Sequence, residues 1–100
     1  MNYKLKIHPL AKLDLKEISI WYEEVQKGLG KRFLNAVNLQ VKTIQQNPNL
    51  FQVKYDNTRV ALTISFPYLI HFEIFGNEIF IKAIIHTSRK SDKWANRIHS

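Results

Sequence analysis

The sequence predicts a single α+β domain in the order β-α-α-β-β-β-β, an N-terminal strand and a helical hairpin followed by an antiparallel sheet. Three observations lead there. Tyr68 to Phe75 and Glu78 to His86 are two β-rich runs separated only by Gly76-Asn77, a pair suited to a two-residue hairpin turn because glycine takes positive φ without strain. Two earlier stretches carry apolar residues spaced by three and four and meet at Gln26-Lys27-Gly28. Shorter runs near residues 3–7 and 59–65 alternate apolar with polar. At 100 residues, with 45% hydrophobic and 12% aromatic side chains, the chain has material for one core, so residues 1–100 read as one domain.

Taken in order, Tyr3, Leu5 and Ile7 alternate with Lys4, Lys6 and His8, a short strand with one buried side that Pro9 ends. Proline suits the first turn of a helix, and from Leu10 the pattern becomes Ala11, Leu15, Ile18, Trp21/Tyr22 and Val25. At least one of that aromatic pair is expected in the core. Gly28 reads as a helix cap, and a second helix from Leu29 presents Phe33, Leu34, Val37, Val41 and Ile44 before Asn47-Pro48 stops it. So short a connection predicts an αα-hairpin whose apolar stripe packs on the sheet. A short extended segment to Tyr55 and a turn at Asp56-Asn57 lead into the strand Arg59 to Ser65. Ser91 could cap a brief terminal helix.

The turn at Gly76-Asn77 implies a register. With Phe75 facing Glu78, Ile74/Ile79, Phe72/Ile81, Ile70/Ala83 and Tyr68/Ile85 form the core face, and Glu73/Phe80, His71/Lys82 and Leu69/Ile84 form the other. If Val60, Leu62 and Ile64 join the same core, Arg59 lies opposite Glu73 and Ala61 opposite His71. A one-residue slip would turn that whole apolar set to the other face. On this register the open face gathers Arg59, Glu73, His71, Lys82 and His86, with Arg89 just beyond.

Fifteen Lys+Arg against eight Asp+Glu give a formal charge of +7, which favours an anionic partner. No cysteine is present, so neither a disulfide framework nor a thiolate metal site is available, and a cytoplasmic location is expected. No run approaches a membrane span. Glycine-rich phosphate loops, nucleophile elbows and metal-ligand spacings are missing too, so no metal or cofactor is expected. The cluster of Arg59, Glu73, Lys82, His86 and Arg89 holds the parts that metal-free RNA cleavage needs: two arginines for the phosphate and groups able to move a proton. A plainer reading stands beside it, with Arg59/Glu73 a cross-strand ion pair and His86 bonded to backbone at a strand end.

The succession Pro9-Leu-Ala11 with Asp14-Leu15, Trp21-Tyr22, Gly28-Leu-Gly30 with Arg32-Phe33-Leu34, Asn47-Pro48, Arg59, Phe66-Pro67-Tyr68, and Ala83-Ile-Ile-His86 with Arg89, Trp94 and Arg97 resembles the RelE/ParE superfamily of bacterial toxins. The resemblance covers nearly the whole chain. It implies the toxin half of a type II toxin–antitoxin pair, a helical hairpin on a curved antiparallel sheet, and a small acidic antitoxin encoded adjacently. RelE-like members cleave messenger RNA on the ribosome, whereas ParE-like members act on DNA gyrase without nuclease activity. The expected function is ribosome-dependent mRNA cleavage, with gyrase inhibition without nuclease activity, or an inactive binding module, as the alternatives. On the first, Arg59 and Arg89 hold the phosphate, His86 donates a proton, Glu73 and Lys82 support it, and Lys90, Lys93 and Arg97 contact the target. Nuclease members often carry a tyrosine close after the last strand; here Thr87 follows His86, and the last tyrosine is Tyr68.

Overall fold

The computed structural model describes residues 3–89. Strand β1 (Lys4–Ile7) leads into helices α1 (Pro9–Val25) and α2 (Leu29–Gln46); a 3-10 turn (Pro48–Leu50) precedes β2 (Val53–Tyr55), β3 (Thr58–Leu62), β4 (Tyr68–Phe75) and β5 (Glu78–His86). The sheet order is β1-β5-β4-β3-β2. Strand β1 lies parallel to β5, with Leu5 beside Ile79, and the other pairings are antiparallel. The predicted α+β order is therefore observed.

Local chemistry explains the helical hairpin. Pro9 occupies the first turn of α1, and His8 caps it by accepting the Leu10 N–H at Nδ1, 3.0 Å away. Gly28 adopts φ +88 at the start of α2, where the Glu23 carboxylate accepts the N–H groups of Gly28 at 2.9 Å and Gly30 at 3.1 Å. Two helix-terminal donors with no intrahelical acceptor are thereby satisfied by one side chain of the preceding helix. Gly30 also sets the closeness of the pair, since a Cβ there would lie 2.4 Å from the Ser19 carbonyl oxygen.

Phe33, Val37 and Ile44 of α2 and Ala11 of α1 are buried against Ala61, Ile70, Phe72, Ile79, Ile81 and Ile84 of the sheet. Tyr22, Phe33, Phe66 and Tyr68 add an aromatic cluster at one end, with Tyr22 and Phe66 centroids 5.0 Å apart. Tyr22 is the member of the aromatic pair that joins the core; Trp21 is 59% exposed.

Two registers differ from expectation. The hairpin pairs as predicted from Phe75↔Glu78 to Phe72↔Ile81, and then the ladder shifts: His71 pairs with Ala83, Ile70 with Ile84, Leu69 with Ile85 and Tyr68 with His86. Lys82 is the extra residue of a β-bulge, so beyond it β5 presents the opposite parity to the one expected. On the other side of β4, Arg59 pairs with Phe72 and Ala61 with Ile70. This is the one-residue slip, and it puts Ala61 at 1% exposure and Leu62 at 54%.

Close packing and turn chemistry account for the slip. Ala61 lies in the buried layer with Phe33 and Val37, where a small side chain fits beneath the helix. Beyond Leu62, Thr63 is buried; its N–H donates to the Tyr68 carbonyl, and its hydroxyl lies within 2.9 Å of the Phe66 and Tyr68 carbonyls. Ser65 turns with φ 69. A hydroxyl-stabilised turn thus replaces the continuous strand through Ser65.

Gly30→Ala should destabilise the fold by about 1–3 kcal/mol despite alanine's better helix propensity, because backbone atoms must move apart. A thermal melt should show a midpoint at least about 4 °C lower. The slipped register makes a second expectation: Leu62→Thr should change stability by no more than about 0.5 kcal/mol, whereas Ala61→Leu should cost about 1–3 kcal/mol. Urea unfolding of both checks this; the unslipped register would give the reverse order.

Candidate functional site

The residues expected to form one cluster are distributed over three places. Arg59 lies on the helix-side face opposite Phe72, not opposite Glu73, and its Nη1 donates to the Phe51 carbonyl at 2.6 Å. It ties the segment after the 3-10 turn to the sheet. The cross-strand pair with Glu73 is not formed, because the slip in β3 reverses the side on which Arg59 emerges.

Glu73 and Lys82 do meet on the sheet face away from the helices. The bulge directs Lys82 there, where its ammonium pairs with the Glu73 carboxylate and donates to Thr58 Oγ1 at 2.9 Å. The same Nζ lies 5.8 Å from the Tyr55 ring centroid, and Tyr55 Oη shares a 3.0 Å hydrogen bond with His71 Nδ1. Burial pushes the Tyr55 phenol up to about 12, so it keeps its proton throughout the neutral range. His71 is wholly buried, and the side chains of Lys82 and Glu73 are 9% and 16% exposed. The ammonium is matched by a carboxylate within a nearly closed network, which leaves little uncompensated charge for a phosphate.

His86 is on the other side of the sheet. The bulge puts it opposite Tyr68, edge-on to that ring with centroids 5.1 Å apart. It borders a groove of about 460 Å³ shared with Trp21, Tyr22, Pro67 and Tyr68, and a smaller one of about 140 Å³ between α1 and the end of β5, where Asp14, Glu17 and Arg89 also stand. His86 Nδ1 accepts the Ser88 N–H at 3.0 Å and lies 2.8 Å from Ser88 Oγ. With Nδ1 taken by Ser88, the ring nitrogen left to face a ligand is Nε2. Burial raises the Tyr68 phenol, and the Arg89 charge nearby opposes that shift. Arg89 itself is exposed.

His86 and Arg89 therefore form one group and Glu73 and Lys82 another, with Arg59 apart from both. Lys90, Lys93 and Arg97 lie outside the described residues. Sequence reasoning passed over Asp14, whose carboxylate accepts the Ile84 N–H at 3.0 Å where β5 runs on past the end of β1. Its signal was an acid set among Ala11, Leu15 and Ile18 on the packed side of α1. Tyr55 and Thr58 were also passed over: the alternation of β3 points Thr58 to the core face, and only the one-residue slip brings it, with its partner Tyr55, beside Lys82.

Among the described residues no three His, Asp or Glu side chains gather as a metal-ligand set, and no helix is long and apolar enough to cross a membrane. Residues 5–91 match the family described as ParE toxin of type II toxin-antitoxin system, parDE. A search of curated proteins finds no match. A chain of the chromosomal ParDE TA system from P. aeruginosa has a similar fold, with a TM-score of 0.77 and 23% identity over 86% of this chain and 97% of that one. With the helical hairpin, the five-stranded sheet and nearly the full length matched, this chain belongs to the ParE toxin family of type II toxin–antitoxin systems.

Proposed function

We propose that this toxin arrests growth by binding DNA gyrase, as the ParE-like branch does, and not by cleaving messenger RNA. The separation of His86 from Glu73 and Lys82 by the thickness of the sheet, with Arg59 turned to a backbone carbonyl elsewhere on the helix side, carries this reading. A phosphoryl-transfer site needs its base, acid and cations converging on one phosphorus. Here Lys82 and Glu73 compensate each other, Arg59 bonds to a backbone carbonyl, and His86 has its Nδ1 occupied by Ser88. The match to the ParE description supports the same branch.

The antitoxin of the pair is then a small, acidic, adjacently encoded protein acting in the cytoplasm. Against a chain of +7, a disordered acidic segment that folds on binding can cover a wide area despite its ordering cost. Its complex with this chain should weaken as salt rises, measurable by titration at several ionic strengths; an affinity indifferent to salt would remove charge as the basis of recognition.

Purified toxin should inhibit supercoiling by gyrase, and cells in which it is induced should mount a DNA-damage response while their messages stay intact. His86→Gln preserves size and hydrogen bonding but removes the titrating ring. Growth arrest by that variant should match the parent, with an unchanged melting temperature. New 5′ ends within translated codons, abolished by His86→Gln in a folded protein, would restore the ribonuclease reading.

A further inference from the structure

We infer that the groove between the C-terminal half of α1 and the ends of β4 and β5 binds a proline-rich segment of a partner protein in the polyproline II conformation. Trp21 and Tyr22 line it from α1, Pro67 and Tyr68 from the entry to β4, and His86 from the end of β5, around a volume of about 460 Å³. That volume falls in the range of about 300–1,000 Å³ usual for ligand pockets. The rings stand nearly at right angles to their neighbours: 73° between Trp21 and Tyr22, 78° between Tyr22 and Tyr68, and 84° between Tyr68 and His86, with centroids 5.0, 6.4 and 5.1 Å apart. Such a set presents ring faces and ring edges in alternation. Trp21 is 59% exposed and Pro67 is exposed, while Tyr22, Tyr68 and His86 are half-buried.

The chemistry of this lining names the occupant. Among the described residues no carboxylate, Lys or Arg lines the groove, and Arg89 stands in the neighbouring one together with Asp14 and Glu17. Charge therefore gives little advantage here to a nucleic acid or an acidic peptide. The tips of the rings are nonetheless polar. The Trp21 indole N–H and the Tyr22 and Tyr68 hydroxyls have no hydrogen-bond partner among the described residues, and burial raises both phenols, so they keep their protons in the neutral range and can donate. His86 adds Nε2, its Nδ1 being taken by Ser88. The fitting ligand offers flat apolar surface beside bare acceptors. A polyproline II segment supplies both: pyrrolidine rings for the aromatic walls, and carbonyls that the conformation leaves without internal hydrogen bonds. A helix has no free carbonyls along its middle. An added strand is ruled out at Tyr68, whose N–H and C=O are already bonded to Phe66 and Thr63.

The test is to titrate the isotope-labelled full chain with an end-blocked oligoproline of about three turns of that conformation, a Gly/Ser peptide of equal length and an oligothymidine, following amide and indole N–H shifts. Oligoproline should shift the Trp21 indole and the amides of Tyr22, Tyr68 and His86, with a Kd below about 1 mM and at least about tenfold below that of the Gly/Ser peptide. Trp21→Ala, at an exposed position, should melt within about 4 °C of the parent and lose at least about tenfold in affinity. Tyr68→Phe keeps the ring, removes one donor and should weaken binding about threefold to tenfold. Absence of shifts in the groove at several times the expected Kd overturns the inference in the unmutated chain, as does equal binding of the Gly/Ser peptide. Parental affinity in Tyr68→Phe, or in a folded Trp21→Ala, overturns it too. Stronger perturbation of the same residues by oligothymidine would assign the groove to nucleic acid, and shifts that grow with protein concentration alone would assign it to a second copy; either result also overturns it.

Discussion

Lys82 is one residue more than the β4–β5 ladder can pair, and the arrangement of both faces of the sheet follows from where that residue is inserted. Before it, Ile79 and Ile81 pack beneath the helices; after it, Ile84 takes over that role, while Ala83 and Ile85 move to the far side with His71 and Leu69. Without the bulge, His86 would lie with Lys82 and Glu73. With it, His86 is drawn beside Tyr68 under the end of α1. Bulges commonly re-aim a side chain in this way, and here one insertion separates two groups that a regular strand would have joined.

The same residue supplies the charge of a satisfied network. A bulged lysine pointing at a sheet face would be costly if left alone there, and Glu73, Thr58 and Tyr55 surround it. Glu23 and Asp14 play comparable parts on the other side, each accepting backbone N–H groups that secondary structure leaves over. Much of the charge inside this small domain is therefore structural.

The element order, both helices and the hairpin turn were legible because each rests on local rules: a 3.6-residue period, Pro9 at a helix start, Gly76 in a two-residue turn. Register was not legible to the same degree. The apolar alternation of Val60, Leu62 and Ile64 points to a buried side, yet Ala61 and Thr63 are the buried residues, because the space under α2 and the Thr63 hydroxyl turn decide the parity. Nor does a bulge announce itself by a glycine here. The types of residue in the candidate site were therefore readable, while their grouping depended on two one-residue shifts that only packing against other elements could specify. Glu73 with Lys82 survived, since that pair lies where both readings agree; Arg59 and His86 each lie beyond a shift.

The placing of β1 bears on how the molecule is made. The α-hairpin is local in sequence, with Gly30 against Ser19 and Glu23 capping residues only a few positions on, and such contacts form early. Lys4, in contrast, pairs with Glu78, and Ile7 with Ile81. Strand β1 is thus made well before the neighbour it pairs with, and it waits until β5 has been synthesised. A nascent chain that stops short of β5 can hold the hairpin but cannot close the sheet, so the five-stranded fold becomes available only once Glu78–His86 has been made.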